Sequence, residues 1–253
     1  DTHDPFMNHD NPGEGYARVQ LPNPDPEKHL ERMRHAYGTE IEYMDAHIGA
    51  FLDGVRERGL YDDAVILFTS DHGEEFYEHQ GWWHGQTLYD EVIQVPLMLR
   101  LPGGVMAGQT NADFARHIDL APTMMGLAGL PAPGEMPGIA LLDHGTFTNA
   151  VTGHVYAEND FEGIVLQAVR TRTEKLIAAN DNNPRGLLPT EYYDLTSDPR
   201  ETRNLSENAP DRVDELEALL DGMMAFIRDG AAEPAVVEGL SEDLTEQLED
   251  LGY

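Results

Sequence analysis

Cysteine is absent from the 253 residues of this chain. No disulfide, no thiolate metal ligand and no cysteine nucleophile therefore lies within it. Lysine is nearly absent too: Lys28 and Lys175 are the only two, and the other basic residues are arginines. Basic residues number 16 against 47 acidic ones, for a net charge of −31. Phosphate backbones need a basic face, so nucleic-acid binding is not expected. Adhesion to an anionic membrane is not expected for the same reason. Long apolar runs are missing as well, and none approaches the roughly 20 residues that span a bilayer as a helix. No basic-then-apolar stretch opens the chain.

What is present fits a folded protein. Hydrophobic residues make up 40 % of the chain, enough for a sizeable core in one large domain or one domain with a small partner. Dense carboxylates repel one another at low ionic strength, and molar salt shortens the screening length to about 3 Å. A salt-adapted host is the expectation from that balance. The plainer reading is an acidic soluble protein.

Residues 1–26 carry five prolines and little periodicity, which predicts a loop. From Glu27 to Gly59, Leu30, Met33, Tyr37, Ile41, Met44, Ile48, Leu52 and Val55 recur at helical steps. Asp25 is the expected N-cap and Gly59 the stop, with Gly38 a candidate break. Ala64–Thr69 is a short continuous apolar run that reads as a buried parallel strand, and Gln94–Leu101 reads as another. A helix is expected within Phe114–Ala128, starting as late as Asp119. Gly and Pro crowd 129–138 as a linker. Beyond it, His154–Glu158, Ile164–Thr171, Glu174–Ala178 and Tyr192–Leu195 follow one another without long helices between them, which predicts an antiparallel sheet. An amphipathic helix over Asp211–Arg228 and a short acidic helix or tail over Ser241–Leu251 close the chain.

The candidate chemistry lies at the end of the first strand, in Phe68-Thr69-Ser70-Asp71-His72-Gly73-Glu74-Glu75. In open α/β sheets, ligands bind beyond the carboxyl ends of strands. Asp71 offers a hard oxygen and His72 an imidazole nitrogen, so the pair suits one cation. The plain alternative is a turn with a capping Asp and an incidental His. Glu78-His79-Gln80-Gly81-Trp82-Trp83-His84-Gly85 follows, bringing two histidines and both tryptophans beside that turn. His84, between Trp and Gly, suits hydrogen bonding to an anionic oxygen. His79 reads as a residue that orders the loop.

The stretch from Phe68 to Gly103 resembles the central signature of the type I sulfatases of the alkaline phosphatase superfamily. Tyr43–Gly49 with Arg58–Asp63, Asp119–Thr123, Val169–Thr171 with Glu174–Ile177, Tyr193–Leu195 with Asp198, Pro199, Glu201, Asn204 and Leu205, and the closing Leu248–Tyr253 resemble further segments of that family. The resemblance covers the C-terminal half of such an enzyme. It implies that a Cys- or Ser-x-Pro-x-Arg motif and further acidic ligands lie upstream, on an N-terminal half that partners this chain. The nearest serine here, in Ser197-Asp198-Pro199-Arg200, has its Arg one place too early.

The resemblance also implies the roles. Asp71 and His72 match adjacent metal ligands, with Ca²⁺ the leading ion and Mg²⁺, Mn²⁺ or Zn²⁺ as alternatives. His84 falls where many relatives place a sulfate-contacting lysine. His3, in Asp1–Phe6, matches a histidine that acts on a proton at the nucleophile or leaving group. Glu74, Glu75 and Tyr89 are expected only to support the site. The implied activity is hydrolysis of a small-molecule or saccharide sulfate ester by a metal-assisted formylglycine nucleophile supplied from the N-terminal half. The isolated fragment is expected to be inactive. His72 stands where many sulfatases carry Asn, which keeps phosphonate monoester or phosphodiester hydrolysis as an alternative, and a non-catalytic binding protein as another. The family prior for compartment is periplasmic or extracellular. The expected fold class is α/β: an alkaline-phosphatase-like, mostly parallel sheet flanked by helices and incomplete here, with a small C-terminal antiparallel sheet carrying a packed helix. The expected division is 1–143 for the catalytic part and 144–253 for the C-terminal α+β part and acidic tail.

Overall fold

A computed structural model of the chain describes residues 26–131, 133, 136–143, 145–148, 151 and 153–230. The expected acidic tail, the Asp25 cap and His3 lie outside these residues. The chain divides into two compact units: Asp1–Val55 with Ile227–Tyr253, and Arg56–Phe226.

In the first unit, the apolar positions at helical spacing form one continuous helix, α1 (Pro26–Glu57). Gly38 does not interrupt it. A lone glycine in a helix interior costs only about 0.5–1 kcal/mol, which 32 residues of continuous helix absorb. Met33 and Ala36 are buried, whereas Ile41, Tyr43, Met44 and Phe51 remain exposed. No helix among the described residues is long and apolar enough to cross a membrane.

The second unit begins where α1 stops. Gly59 takes φ +68°, and its N–H donates to Arg56 O at 2.9 Å, closing the helix as an αL glycine does. The apolar run then gives β1 (Ile66–Thr69). A two-residue ladder, β2 (Glu75–Phe76) and β3 (Trp82–Trp83), follows, and the one-turn helix α2 (Asp90–Ile93) comes next. Strand β4 (Leu97–Arg100) starts just after Pro96, where the missing N–H breaks no ladder.

β4 pairs with β1 antiparallel, Ile66 opposite Arg100 and Thr69 opposite Leu97. The sequence suggested a buried parallel strand. Four apolar residues read the same in either direction, and both faces of β1 are half-exposed. All strand pairings among the described residues are antiparallel.

Helix α3 (His117–Leu127) starts where Asp119 can hold its first turn. The Asp119 carboxylate is fully buried. It accepts from Arg116 N–H and guanidinium at 2.7–2.9 Å and from Ile139 N–H at 2.9 Å. Gly138 lies so close to this turn that a Cβ would sit 1.7 Å from Ile118 O. The short ladder β5 (Leu142–Asp143) and β6 (Thr146–Phe147) follows.

The C-terminal sheet is the expected antiparallel one: β7 (His154–Phe161), β8 (Ile164–Thr171), β9 (Glu174–Ala179) and β10 (Thr190–Asp194), in spatial order β10-β9-β8-β7. Alternation sorts its side chains by face. Val169, Leu176 and Tyr192 pack with Val213, Leu216 and Leu220 of α4 (Pro210–Gly230). Their sequence neighbours Ala168, Ile177 and Tyr193, with Ile164 and Leu166, pack on Leu88 and Tyr89. One sheet thus buries a helix on one face and the segment between β3 and α2 on the other. That second contact positions the candidate site.

Candidate functional site

Where β1 ends, the backbone turns sharply. Ser70 Oγ donates to His72 O at 2.7 Å and His72 N–H to Asp71 Oδ1 at 3.0 Å. His117 Nε2 lies 2.8 Å from Ser70 O and donates to it. Gly73 N–H donates to Val92 O at 2.7 Å. A Cβ on Gly73 would sit 2.0 Å from Glu91 O. Gly73 is therefore required for close approach between two backbone segments, not for an unusual φ.

This turn leaves Asp71 Oδ2 3.8 Å from His72 Nε2. Two ligand atoms of one cation with bonds of about 2.0–2.4 Å lie about 3–4 Å apart. The expected pair therefore fits a shared divalent ion. His72 Nδ1 donates to Gly73 O at 2.9 Å, which fixes the tautomer and leaves Nε2 with its lone pair, as metal-binding histidines require.

His84 reaches the turn through a short ladder that periodicity does not mark. The segment 74–84 is a hairpin-like turn with Glu75 opposite Trp83. Extending that register by one step sets Glu74 opposite His84. His84 Nδ1 donates to Glu74 Oε1 at 2.7 Å, and its ring stacks on His72 with centroids 3.7 Å apart and planes at 27°. Ligand atoms of His72, Glu74 and His84 lie within 4.8 Å of one another. Glu74, expected only to support, thus joins the two histidines. Recognising a turn in Tyr77–Gly81 between two short strands would have paired it with His84.

The turn itself is built by Glu75. Its buried carboxylate accepts from His79 N–H at 3.1 Å, Gly81 N–H at 2.8 Å and Arg185 at 3.2 Å. Burial pushes that carboxyl above its ordinary range, with Arg185 pulling the other way. Tyr77, Gln80 and Trp83 hold φ of +65 to +77°, conformations that non-glycine residues adopt at a cost of order 1–3 kcal/mol each unless the surroundings enforce them.

His79 has the ordering role its sequence suggested. Its Nδ1 bonds Glu91 at 2.6 Å, its Nε2 faces Arg200 O and Glu201 O at 3.1 and 3.0 Å, and its ring stacks on Tyr89 at 3.6 Å. Every partner of the ring nitrogens is an acceptor, so the cation satisfies both. Burial opposes the charge, but the hydrogen bond and charge of Glu91, with smaller help from Glu201 O and Glu75, raise the imidazole above its ordinary 6.5. A raised folded value contributes stability that is complete below pH 6.5 and is lost as pH rises through the folded value. Wild type should therefore lose more thermal stability than His79→Gln between pH 6.5 and a pH above the folded value. Equal losses in melting scans would refute the clamp.

Further contacts bind the segment 84–91 to the C-terminal sheet. Asn159 Nδ2 donates to Gly85 O at 3.1 Å and Tyr89 OH to Glu191 at 2.7 Å. Asp90 accepts from Arg170 at 2.8 Å and from Lys175 at 3.0 Å, and Lys175 also pairs with Glu201 at 2.8 Å. Lys175 and Glu201 are essentially fully buried. The site is carried on one element and aimed by another, a division typical of precise sites.

The chain as a whole is similar to known proteins. The family model described as Sulfatase matches residues 1–130, and the one described as N-sulphoglucosamine sulphohydrolase, C-terminal, matches residues 78–228. An N-acetylglucosamine-6-O-sulfatase of Bacteroides thetaiotaomicron is 30 % identical over 70 % of this chain and 32 % of its own length. A protein solved with its substrate D-glucosamine-2-N,6-O-disulfate aligns with a TM-score of 0.69 at 25 % identity, over 83 % of this chain and 43 % of that one. The phosphonate monoester hydrolase of Agrobacterium radiobacter aligns with a TM-score of 0.68 at 24 % identity, over 85 % and 45 %. The chain thus spans about a third to just under half of these proteins, and its fold is that of their alkaline-phosphatase-like class.

Proposed function

Because the chain belongs to the sulfatase family, we propose that the protein containing it hydrolyses sulfate esters at the turn after β1. The observation that carries this reading is the convergence of Asp71, His72 and His84, with Asp71 Oδ2 and His72 Nε2 3.8 Å apart and the two imidazoles stacked. A saccharide sulfate is the substrate class we favour, since two of the similar proteins act on sulfated glucosamine derivatives by their names. The catalytic part is assigned to 1–143 and the C-terminal part to 144–253.

In this reading Asp71 and His72 hold a divalent ion, which when bound offsets negative charge on the nucleophile and the sulfate oxygens. A formylglycine from the upstream part of the protein supplies the nucleophile. As the imidazolium, His84 bonds Glu74 through Nδ1–H and donates from Nε2–H to a sulfate oxygen. His3 exchanges a proton at the nucleophile or leaving group. The chain alone holds too few of these groups to turn over substrate, so only the full-length protein is expected to be active.

His72 favours a second reading, with a phosphonate or phosphodiester as substrate. Rates on an aryl sulfate and on an aryl phosphonate monoester of equal leaving group, measured with the full-length protein, separate the two. A higher kcat/KM for the sulfate is expected. A higher value for the phosphonate moves the assignment, and no turnover of either favours a binding protein on this scaffold.

A further inference from the structure

We propose that Phe161, at the tip of the β7–β8 hairpin, is a specificity-determining residue: its ring is the platform on which the saccharide ring of the substrate rests while the sulfate meets His84. This deepens the proposed function and rests on its assignment of the sulfate to His84. Phe161 is 41 % exposed. A single exposed apolar side chain is ordinary on a protein surface. Two further observations, its place and its bracing, set this one apart.

Phe161 lies opposite Ile164 in the β7–β8 register, and directly opposed residues share a sheet face. Ile164 packs on Leu88 and Tyr89, so Phe161 belongs to the face that aims the segment 84–91. A Cβ on Gly85 would sit 3.5 Å from Phe161 Cδ1 and 3.9 Å from Cε1. One edge of the ring therefore stands beside the residue that follows His84. Glycine leaves that edge uncovered, where any other residue would lay its Cβ against it. Asn159 joins the same two segments, donating through Nδ2 to Gly85 O at 3.1 Å and to Ile164 O at 3.0 Å.

The tip is braced as well as close. Glu162 and Gly163 turn at φ +51° and +82°, the two-residue turn whose twist matches that of its strands. Asn180 accepts from Val165 N–H and donates to Gly163 O, both at 3.0 Å. Asn183 donates to Asn180 and accepts from Arg185 N–H, both at 2.9 Å. The Arg185 guanidinium reaches His79 O at 2.7 Å and Glu75 at 3.2 Å. The loop 180–185 thus ties the Phe161 tip to the turn that carries His84. An aromatic side chain held in advance binds an apolar ring face with little ordering cost. The C–H face of a pyranose is such a surface.

Inert sulfonates test this in the full-length protein. Cyclohexylmethanesulfonate and methanesulfonate share the anionic group and differ by the ring, and ligand-observed NMR titration reads both affinities without turnover. Wild type is expected to prefer the ring-bearing sulfonate about tenfold. Phe161→Ala should cut that preference to within about threefold, and Phe161→Trp should keep it. An undiminished preference in Phe161→Ala overturns the proposal. Equal weakening of both sulfonates in Phe161→Ala also overturns it, since a merely structural residue would give that result. If wild type binds neither sulfonate, the sulfate site at His84 falls and the platform with it. If wild type binds both without preference, the platform alone is refuted and the site stands.

Discussion

Asp71→Asn in the full-length protein is expected to lower kcat/KM for a sulfate ester about 10²–10³-fold while leaving the unfolding midpoint nearly unchanged. The two halves of that expectation have separate causes. Asp71 is largely exposed, with 64 % of its side chain accessible, and surface substitutions usually stay within about 0.5 kcal/mol. Asn also keeps an oxygen to accept from His72 N–H, now 3.0 Å from Asp71 Oδ1. What it removes is the charge that faces His72 Nε2. A bound metal contributes several kcal/mol to charge stabilisation in the transition state, and each 1.36 kcal/mol is about tenfold in rate. Turnover within a few-fold of wild type would sink the assignment of Asp71 to the ion. Partial rescue by raised metal concentration would support it.

Lys175→Met is expected to have the largest effect on stability, a loss of about 3–5 kcal/mol. Breaking a buried ion pair by removing one partner leaves an uncompensated charge. Here two carboxylates lose their common ammonium, Asp90 at 3.0 Å and Glu201 at 2.8 Å. Asp90 keeps Arg170 at 2.8 Å and the strain on it is smaller. Burial opposes the Asp90 charge, but Arg170 and Lys175 outweigh burial and hold the carboxyl below its ordinary range. Glu201 is in the harder position. Burial pushes its carboxyl up, against the pull of Lys175, and without Lys175 its charge keeps, among the described residues, the Asp90 N–H at 2.7 Å. Against a total stability of roughly 5–15 kcal/mol the loss is severe. Urea unfolding measures it. A second variant, Lys175→Met with Glu201→Gln, should recover about half, because both ends of the pair are then neutral. If the double variant is no more stable than the single one, lost packing rather than stranded charge is responsible.

Much of the architecture is legible in the sequence. Leu30 to Val55 at helical steps gave α1, and the closely spaced runs from His154 to Leu195 gave the antiparallel sheet, because periodicity is set locally. Direction of pairing was not legible, since Ile66–Thr69 is too short and too uniformly apolar to distinguish parallel from antiparallel. Gly38 misled because a helix of this length tolerates one glycine. In the site, Asp71, His72 and His84 were marked by their chemistry, and the structure brings their side chains to one place. Glu74 was missed because its importance depends on register across a two-residue ladder, which composition does not encode. Lys175 and Glu201 were recognisable only as members of longer motifs. That both are buried against Asp90, 85 and 111 residues away in sequence, is a property of the tertiary fold alone.

Lys175 has one more consequence. The chain contains two lysines, and the ammonium of this one is sealed from solvent. An amine-directed acylating reagent cannot reach it in the native protein and can reach it once the segment carrying Asp90 lifts from the C-terminal sheet. The rate at which mass spectrometry finds Lys175 acylated is therefore a clock for the release of that segment, built into the native sequence and read against a background of almost no competing side-chain amines.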